Sequence, residues 1–367
     1  MDKKPYRIGI DARLYFQTGV GVYIRNFLHY LQLQAPDTID IYIYVLTQDA
    51  RNITFTNPHF IKREVTAKWH SFAEQLVFCN DLMKDNLDLM HFTYFSYPVL
   101  YRRPFIATIH DVTPLLFKTG KASTLPSVLY DFKYEVFKFV LSQQVKNAKA
   151  IITPTESVKH QLVEIYGKQY QNRISVLYEG VNYEFFNVQA NDGLKKIFTR
   201  PFFLYVGNFY PHKNVDRLIT AFHKLGRGDI DLVLAGPDNY FAARIRQYIQ
   251  QYHINNIHLY HQARSEDLVF LYKNSKALIN PSLSEGFGLP IVESLYCRTP
   301  VIASDIPVFK ELMGDEYISF DPMDVESIKS ALASFLARKE HTIPPLNKKF
   351  SFEHMVQKYL DLLQELL

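Results

Sequence analysis

The sequence predicts an α/β fold of parallel sheets divided into two domains. Three observations carry this. Short apolar runs alternate with helix-like segments along the whole chain, the pattern of repeated strand–helix–strand units. The chain has 367 residues, more than a single core usually serves. The strands also fall into two series, separated by a polar, irregular stretch over 184–200 that is expected to hold the hinge.

In the first series the expected strands are 6–10, 41–46, 87–91, 105–109, 150–153 and 174–177, each a short, largely apolar run. The second series is 202–206, 232–235, 257–260, 277–280 and 300–303. Ile343-Pro344-Pro345 breaks the chain, and the apolar spacing over 352–367 then reads as an amphipathic helix. No short repeat or low-complexity tract interrupts this order. The two series fit two Rossmann-like domains facing each other across a cleft. Ligands of such sheets bind at the carboxyl ends of the strands.

Composition narrows the function. Hydrophobic residues make up 47%, ample for packed cores, and the formal charge of +4 is small for this length, so nucleic acid is not an expected partner. Cys79 and Cys297 lie far apart, with neither metal-ligand spacing nor a disulfide framework. No His/Asp/Glu cluster demands a metal, and no cofactor is expected. The opening Met1-Asp2-Lys3-Lys4-Pro5 lacks a signal-peptide apolar region. No segment approaches the ~20 apolar residues that span a bilayer. A cytoplasmic location is expected. Aromatics are rich at 15%; they suit stacking on sugars or bases, although aromatic cores are the commoner use.

The chemistry concentrates in Ser284-Glu285-Gly286-Phe287-Gly288-Leu289-Pro290-Ile291-Val292-Glu293, directly after the strand at 277–280. Gly286 and Gly288 can take φ values closed to other residues and let backbone approach a ligand. Pro290 suits the first helical position. Unpaired N–H groups at a helix start favour an anion. The segment therefore reads as a phosphate turn opening a helix, with a carboxylate at each end to accept hydrogen bonds from hydroxyls. A phosphate beside several hydroxyls describes a nucleotide sugar. An ordinary strand–turn–helix with solvated glutamates is the plain alternative for the Glu spacing alone.

Three other strand ends carry candidates. After the first strand, Gly19-Val20-Gly21 precedes a helix expected from Val22; it is a weak phosphate-loop signal beside the reading of a tight turn packed on the sheet. The strand at 105–109 delivers His110 and Asp111, and an imidazole can give or take a hydrogen bond near neutral pH. The strand at 202–206 leads through Gly207, Asn208 and Pro211-His212-Lys213-Asn214, where Lys213 is expected to begin a helix and neutralise a diphosphate. His258 and His261, three apart around a strand, suit core or surface roles.

These residues carry a resemblance. Glu285 and Glu293, separated by seven residues around Gly-Phe-Gly-Leu-Pro, resemble the E-x7-E signature of retaining GT-B glycosyltransferases of the GT4 group, which includes many bacterial mannosyltransferases. Ser294 to Ser304, the Ile8–Arg13 opening with its Gly-Val-Gly, Thr108-Ile109-His110-Asp111 and the Val206–Asn214 run are similar to that family as well. The resemblance implies a GT-B fold: an acceptor-side domain over 1–185, a donor-side domain over 186–350, and a final helix over 351–367 crossing back to the first domain. It implies a metal-independent hexosyltransferase that retains anomeric configuration. Glu285 would contact the donor sugar and Glu293 the ribose. Asn208, Lys213 and the backbone of Gly286, Phe287, Gly288 and Leu289 would hold the diphosphate, with Gly19 and Gly21 near it and His110 beside the transferred sugar. One departure matters: Asn208 stands where many relatives carry Arg, and Arg264 is a candidate replacement.

GDP-mannose is the expected donor, with UDP-sugars close behind, and a glycan or lipid-linked glycan the expected acceptor. Tyr130, Tyr134 and Phe137 share one helical face beside lysines, which suits either packing on the sheet or a weak bilayer contact. Two other classes compete. A glycosidase also uses two carboxylates but usually lacks a phosphate turn, and Lys213 would have no task. A two-lobed, periplasmic-type sugar-binding protein should carry a signal peptide.

Overall fold

The computed structural model describes residues 4–117 and 127–367, without the side chains of 127–130. The chain forms two compact units, one of residues up to Gly180 together with those from Lys349 onward, the other of Val181–Lys348.

The first unit contains β1 (Tyr6–Asp11), α1 (Val20–Gln34), β2 (Ile39–Leu46), β3 (Phe60–Val65), α2 (Cys79–Lys84), β4 (Leu89–Phe92), β5 (Phe105–Thr108), α3 (Thr113–Leu116), α4 (Ser127–Asn147), β6 (Ala150–Thr153), α5 (Glu156–Tyr166) and β7 (Ile174–Val176). Its sheet has the order β3-β2-β1-β4-β5-β6-β7, and every described pair is parallel. Strands β4, β5 and β6 are buried at every position, so their sequences run apolar without alternation. Strand β3 was not expected. Only Phe60 and Val65 of it are buried, and Lys62, Arg63 and Glu64 lie between them, as suits an edge strand.

The second unit contains β8 (Phe202–Val206), α6 (Val215–Leu225), β9 (Asp231–Ala235), α7 (Tyr240–Gln251), β10 (Ile257–Tyr260), α8 (Ser265–Asn274), β11 (Leu278–Asn280), α9 (Leu289–Tyr296), β12 (Val301–Ser304), α10 (Pro307–Met313), β13 (Ile318–Phe320) and α11 (Val325–Ala337). The sheet order is β10-β9-β8-β11-β12-β13, again parallel throughout. Its core gathers Phe203, Leu232, Leu234 and Ile279 under Leu218, Phe222 and Leu332. Strand β13 escaped the sequence reading because only Phe320 of its three residues is buried.

In both sheets the first strand has the next two strands of its series on one side and the fourth on the other. Strand order therefore reverses between β1 and β4, and again between β8 and β11. Loops leaving these two pairs part to opposite faces, which opens a ligand crevice at the carboxyl ends.

Several expectations are corrected. The stretch over 184–200 is packed on the second unit rather than irregular throughout: Phe185 and Leu194 are buried, Asn191 Nδ2 donates to Asp267 Oδ1 at 2.7 Å, and Ser265 Oγ donates to Glu184. Helix α1 starts at Val20 rather than Val22, so Gly21 lies in its first turn. Lys213 closes a single turn over Pro211–Lys213, Asn214 caps with φ 59°, and α6 begins at Val215. On α4 the packing reading of the aromatic face holds: Tyr134 donates to the Leu115 carbonyl at 3.3 Å and Phe137 packs on the core. The side chain of Tyr130 lies outside the described residues.

Helix α12 (Phe352–Leu366) belongs to the first unit. Ser351 Oγ accepts from the His354 amide, and Phe352, Met355, Val356, Tyr359 and Leu363 form its buried face. The Tyr359 ring meets Phe27 of α1 edge-on at 4.8 Å and stacks on His91 of β4 at 5.2 Å. Tyr359→Ala should cost about 3–5 kcal/mol, as for other large aromatic truncations in cores. Denaturant melts should show that loss in the transition of the first unit, with the second unit's transition unmoved.

Candidate active site

The second unit builds its site across the gap between β8 and β11. Asn214 Nδ2 donates to the Pro281 carbonyl at 3.0 Å and the Pro322 carbonyl at 2.7 Å, and the Leu283 amide donates to the His212 carbonyl at 2.8 Å. The loop after β8 is thus stitched to the loop after β11. This places Lys213 Nζ 2.8 Å from both oxygens of Glu285, with Ser282 Oγ 2.7 Å from Oε1. Burial alone would push the Glu285 carboxyl up, but the Lys213 ammonium, the Ser282 hydroxyl and the nearby His212 ring outweigh it and hold the group below its ordinary value. Glu285 is therefore a firm carboxylate near neutral pH.

Gly288 caps α9 with φ 99°, a left-handed conformation that an L side chain rarely adopts. Gly286, expected to need the same freedom, is not among the positive-φ residues. Phe287 is buried, Leu289 and Pro290 open the helix, and the chain turns so that the first amides of α9 lie just beyond Glu285. About one turn on, Glu293 is 7% exposed and accepts from the Tyr272 hydroxyl of α8 at 2.8 Å. Burial pushes its carboxyl up to about 7, with the Tyr272 hydrogen bond pulling the other way. Asn208 lies half-buried just past β8, and its carbonyl accepts from the Tyr205 hydroxyl. Arg264 is the candidate for the missing cation. Its side chain is 69% exposed and is paired with Glu266 at 3.0 Å.

A polar cluster that sequence reasoning passed over sits at the ends of β9 and β10. His261 Nδ1 donates to the Gly236 carbonyl at 2.9 Å, which leaves Nε2 to accept from Arg246 at 3.2 Å, and Arg246 pairs with Asp238 at 3.0 Å. His258 instead lies 3.2 Å from Asp231.

In the first unit the corresponding gap lies between β1 and β4. Thr93 Oγ1 donates to the Asp11 carbonyl at 2.5 Å across it. The Thr93 carbonyl is 2.9 Å from His110 Nε2, so that nitrogen carries a proton and donates. His110 Nδ1 is 3.2 Å from Glu179 Oε1. A hydrogen bond there needs a second proton, on the ring or on the carboxyl. Both ring nitrogens are thereby engaged, and the ring edge rests against Tyr23 with centroids 4.6 Å apart. Asp111 caps the following turn, accepting from the Thr113 amide at 2.7 Å. Gly19 caps α1 with φ 70°, and a Cβ on Gly21 would fall 2.7 Å from the Tyr15 carbonyl oxygen, so the glycine pair shapes this turn. Beneath it, fully buried Arg13 is paired with Asp11 and Glu74, each at 2.6 Å. Glu179, Tyr272 and Glu74 had no local signal, because each acts on a residue from another segment.

Among the described residues no group of three or more His, Cys, Asp or Glu could hold a metal ion, and no helix is long and apolar enough to cross a membrane.

Comparison with known proteins agrees with this geometry. Residues 18–185 match Glycosyltransferase Family 4, and residues 191–350 match Glycosyl transferases group 1. The chain is 27% identical over 293 residues to the O-antigen chain mannosyltransferase RfbU of Salmonella typhimurium, covering 79% of this chain and 77% of that one. The sucrose-phosphate synthase of Thermosynechococcus elongatus superposes with a TM-score of 0.77 at 17% identity, covering 98% and 99%. HepE of Anabaena, solved with UDP-glucose, superposes with a TM-score of 0.73 at 13% identity, covering 98% and 99%. Two parallel Rossmann-like units with these likenesses define a GT-B glycosyltransferase, an enzyme that transfers hexosyl groups. Within that class the chain belongs to glycosyltransferase family 4.

The raised Glu293 carboxyl has a stability consequence. Its folded value of about 7 exceeds its ordinary value of 4.5, so the native state binds the extra proton between these limits. Stability from this group is present below the ordinary value and is lost as pH rises towards 7. Glu293→Gln, which keeps an acceptor for Tyr272, should gain about 1–3 kcal/mol over wild type at pH 8 and little at pH 4. Thermal melts at the two pH values check the difference.

Proposed function

We propose that this chain is a retaining hexosyltransferase that moves mannose from GDP-mannose to a glycan or lipid-linked glycan during surface-polysaccharide synthesis. The observation that carries this is the placement of one firm carboxylate, Glu285, just before α9, and of a second, buried carboxyl group, Glu293, about one turn into that helix. Glu285 accepts from hydroxyls of the donor sugar. Glu293 accepts from the ribose hydroxyls. Lys213 and the backbone amides at Phe287, Gly288 and Leu289 receive the charge that builds on the departing diphosphate, with Gly286 and Asn208 alongside. Prepositioned dipoles of this kind are often the largest catalytic contribution. They act without a divalent metal. The name of the Salmonella relative supports mannose and polysaccharide synthesis; the Anabaena neighbour supports a nucleotide sugar and keeps UDP-sugars as the alternative donor.

In the first unit, His110 and Glu179 orient the acceptor hydroxyl. The acceptor oxygen attacks the anomeric carbon on the face from which the diphosphate leaves. The sugar–phosphate bond breaks, and the leaving phosphate oxygen takes the acceptor proton. A weak membrane contact is supported by α4, where Phe132, Val136 and Phe139 recur on one face at 68%, 45% and 55% exposure, beside Lys133.

A ligand that binds only the native state raises Tm. GDP should therefore raise the Tm of this protein more than UDP does; a rise with UDP alone would move the donor to the UDP-sugars. Lys213→Ala should lower kcat/KM by about 10²-fold with the matching donor, the effect of losing one such electrostatic group. Steady-state kinetics with wild-type values in that variant would remove Lys213 from the leaving-group site.

A further inference from the structure

The carboxylate proposed to read the ribose is itself held by a residue with no assigned part in the reaction. Glu293 sits on α9 and Tyr272 on α8, and the two side chains meet in the interior at 7% and 0% exposure. The Tyr272 hydroxyl donates to Glu293 Oε2 at 2.8 Å. No ammonium or guanidinium lies within ion-pair distance of Glu293 among the described residues. The phenol therefore stands where a cation would otherwise hold the group.

We infer that Tyr272 is a positioning residue for the donor's ribose, its hydroxyl fixing the Glu293 carboxylate so that the remaining lone pairs accept the two ribose hydroxyls. This rests on the reading of Glu293 as the ribose contact. A carboxylate offers about four acceptor positions, so one donor leaves capacity for two more. The phenol is a dependable donor: burial and the neighbouring Glu293 push its ionisation well above the ordinary value. Tyr272 is also fixed at its backbone, where its carbonyl accepts from Thr299 Oγ1 at 2.7 Å, and its ring lies against Phe185 at 6.2 Å.

The contact also favours the charged form of Glu293, which is the form that only accepts. The titratable neighbours are few. Tyr272 comes from α8. Cys297 follows α9, its thiol pushed up to about 12 by burial and by Glu293, with Lys273 acting on that thiol. Without the Tyr272 hydroxyl, burial acts on Glu293 unopposed, and the carboxyl stays protonated to higher pH.

Calorimetric titration tests this with GDP and UDP and with their 2′-deoxy and 3′-deoxy forms, on wild type, Tyr272→Phe and Glu293→Ala, at pH 7 and pH 9. Wild type should prefer the ribonucleotide by about tenfold, the worth of a hydrogen bond to a charged acceptor. Tyr272→Phe keeps the ring. It should bind the deoxy forms as wild type does but prefer the ribonucleotide by less than about threefold at pH 7, recovering part of the preference at pH 9. Glu293→Ala should show no preference at either pH. If Glu293→Ala loses the preference while Tyr272→Phe keeps it in full, Tyr272 only packs and the inference falls alone. If Glu293→Ala keeps the preference, or if neither nucleotide binds, the ribose reading falls and takes the inference with it.

Discussion

Every candidate residue in this enzyme owes its position to one constraint of parallel sheets. Parallel strands all end on the same edge, and their loops crowd that edge except where strand order reverses. Each unit has one such reversal, between β1 and β4 and between β8 and β11. There polar contacts tie the diverging loops. Thr93 bridges to Asp11 in one unit, and Asn214 bridges to Pro281 in the other. His110 hangs from the first tie and Lys213 from the second.

The two glutamates of the second unit show how one short segment serves two purposes. They share a loop and a helix, yet their surroundings push them apart. Glu285 faces Lys213 and Ser282 and is held ionised; Glu293 faces a phenol in an apolar interior and titrates near neutrality. Pairs of titratable groups driven apart in this way mark separate roles. The Lys213–Glu285 pair also gives the site its own counterion, so the Lys213 ammonium is held in place by the chain itself.

Much of this was legible in the sequence. Buried strands such as β4, β6 and β8 are unbroken apolar runs, and their recurrence with helices between them gives the α/β class directly. Edge strands were not legible, because β3 carries its charges in mid-strand and β13 buries one residue. The turn that opens α9 was legible because its glycines, proline and glutamates lie within ten residues. The partners that orient those residues were not. His110 and Glu179 are 69 positions apart, Arg13 and Glu74 61, and Tyr272 and Glu293 21. Pairings of that range arise from strand order, which no local pattern encodes.

The position of α12 sets an order of events for the chain as it is made. The first unit is discontinuous: it ends at Gly180 and resumes at Lys349, and the backbone of Ser351 lies against Gly180. Synthesis proceeds from the amino end, and domains tend to fold as units as they emerge. The second unit is therefore complete while the first still lacks α12. Until that helix arrives, Phe27 and His91 have no Tyr359 to cover them. The unit begun first is the one finished last, and its uncovered aromatic face is the surface a nascent chain must keep from aggregation in the interval.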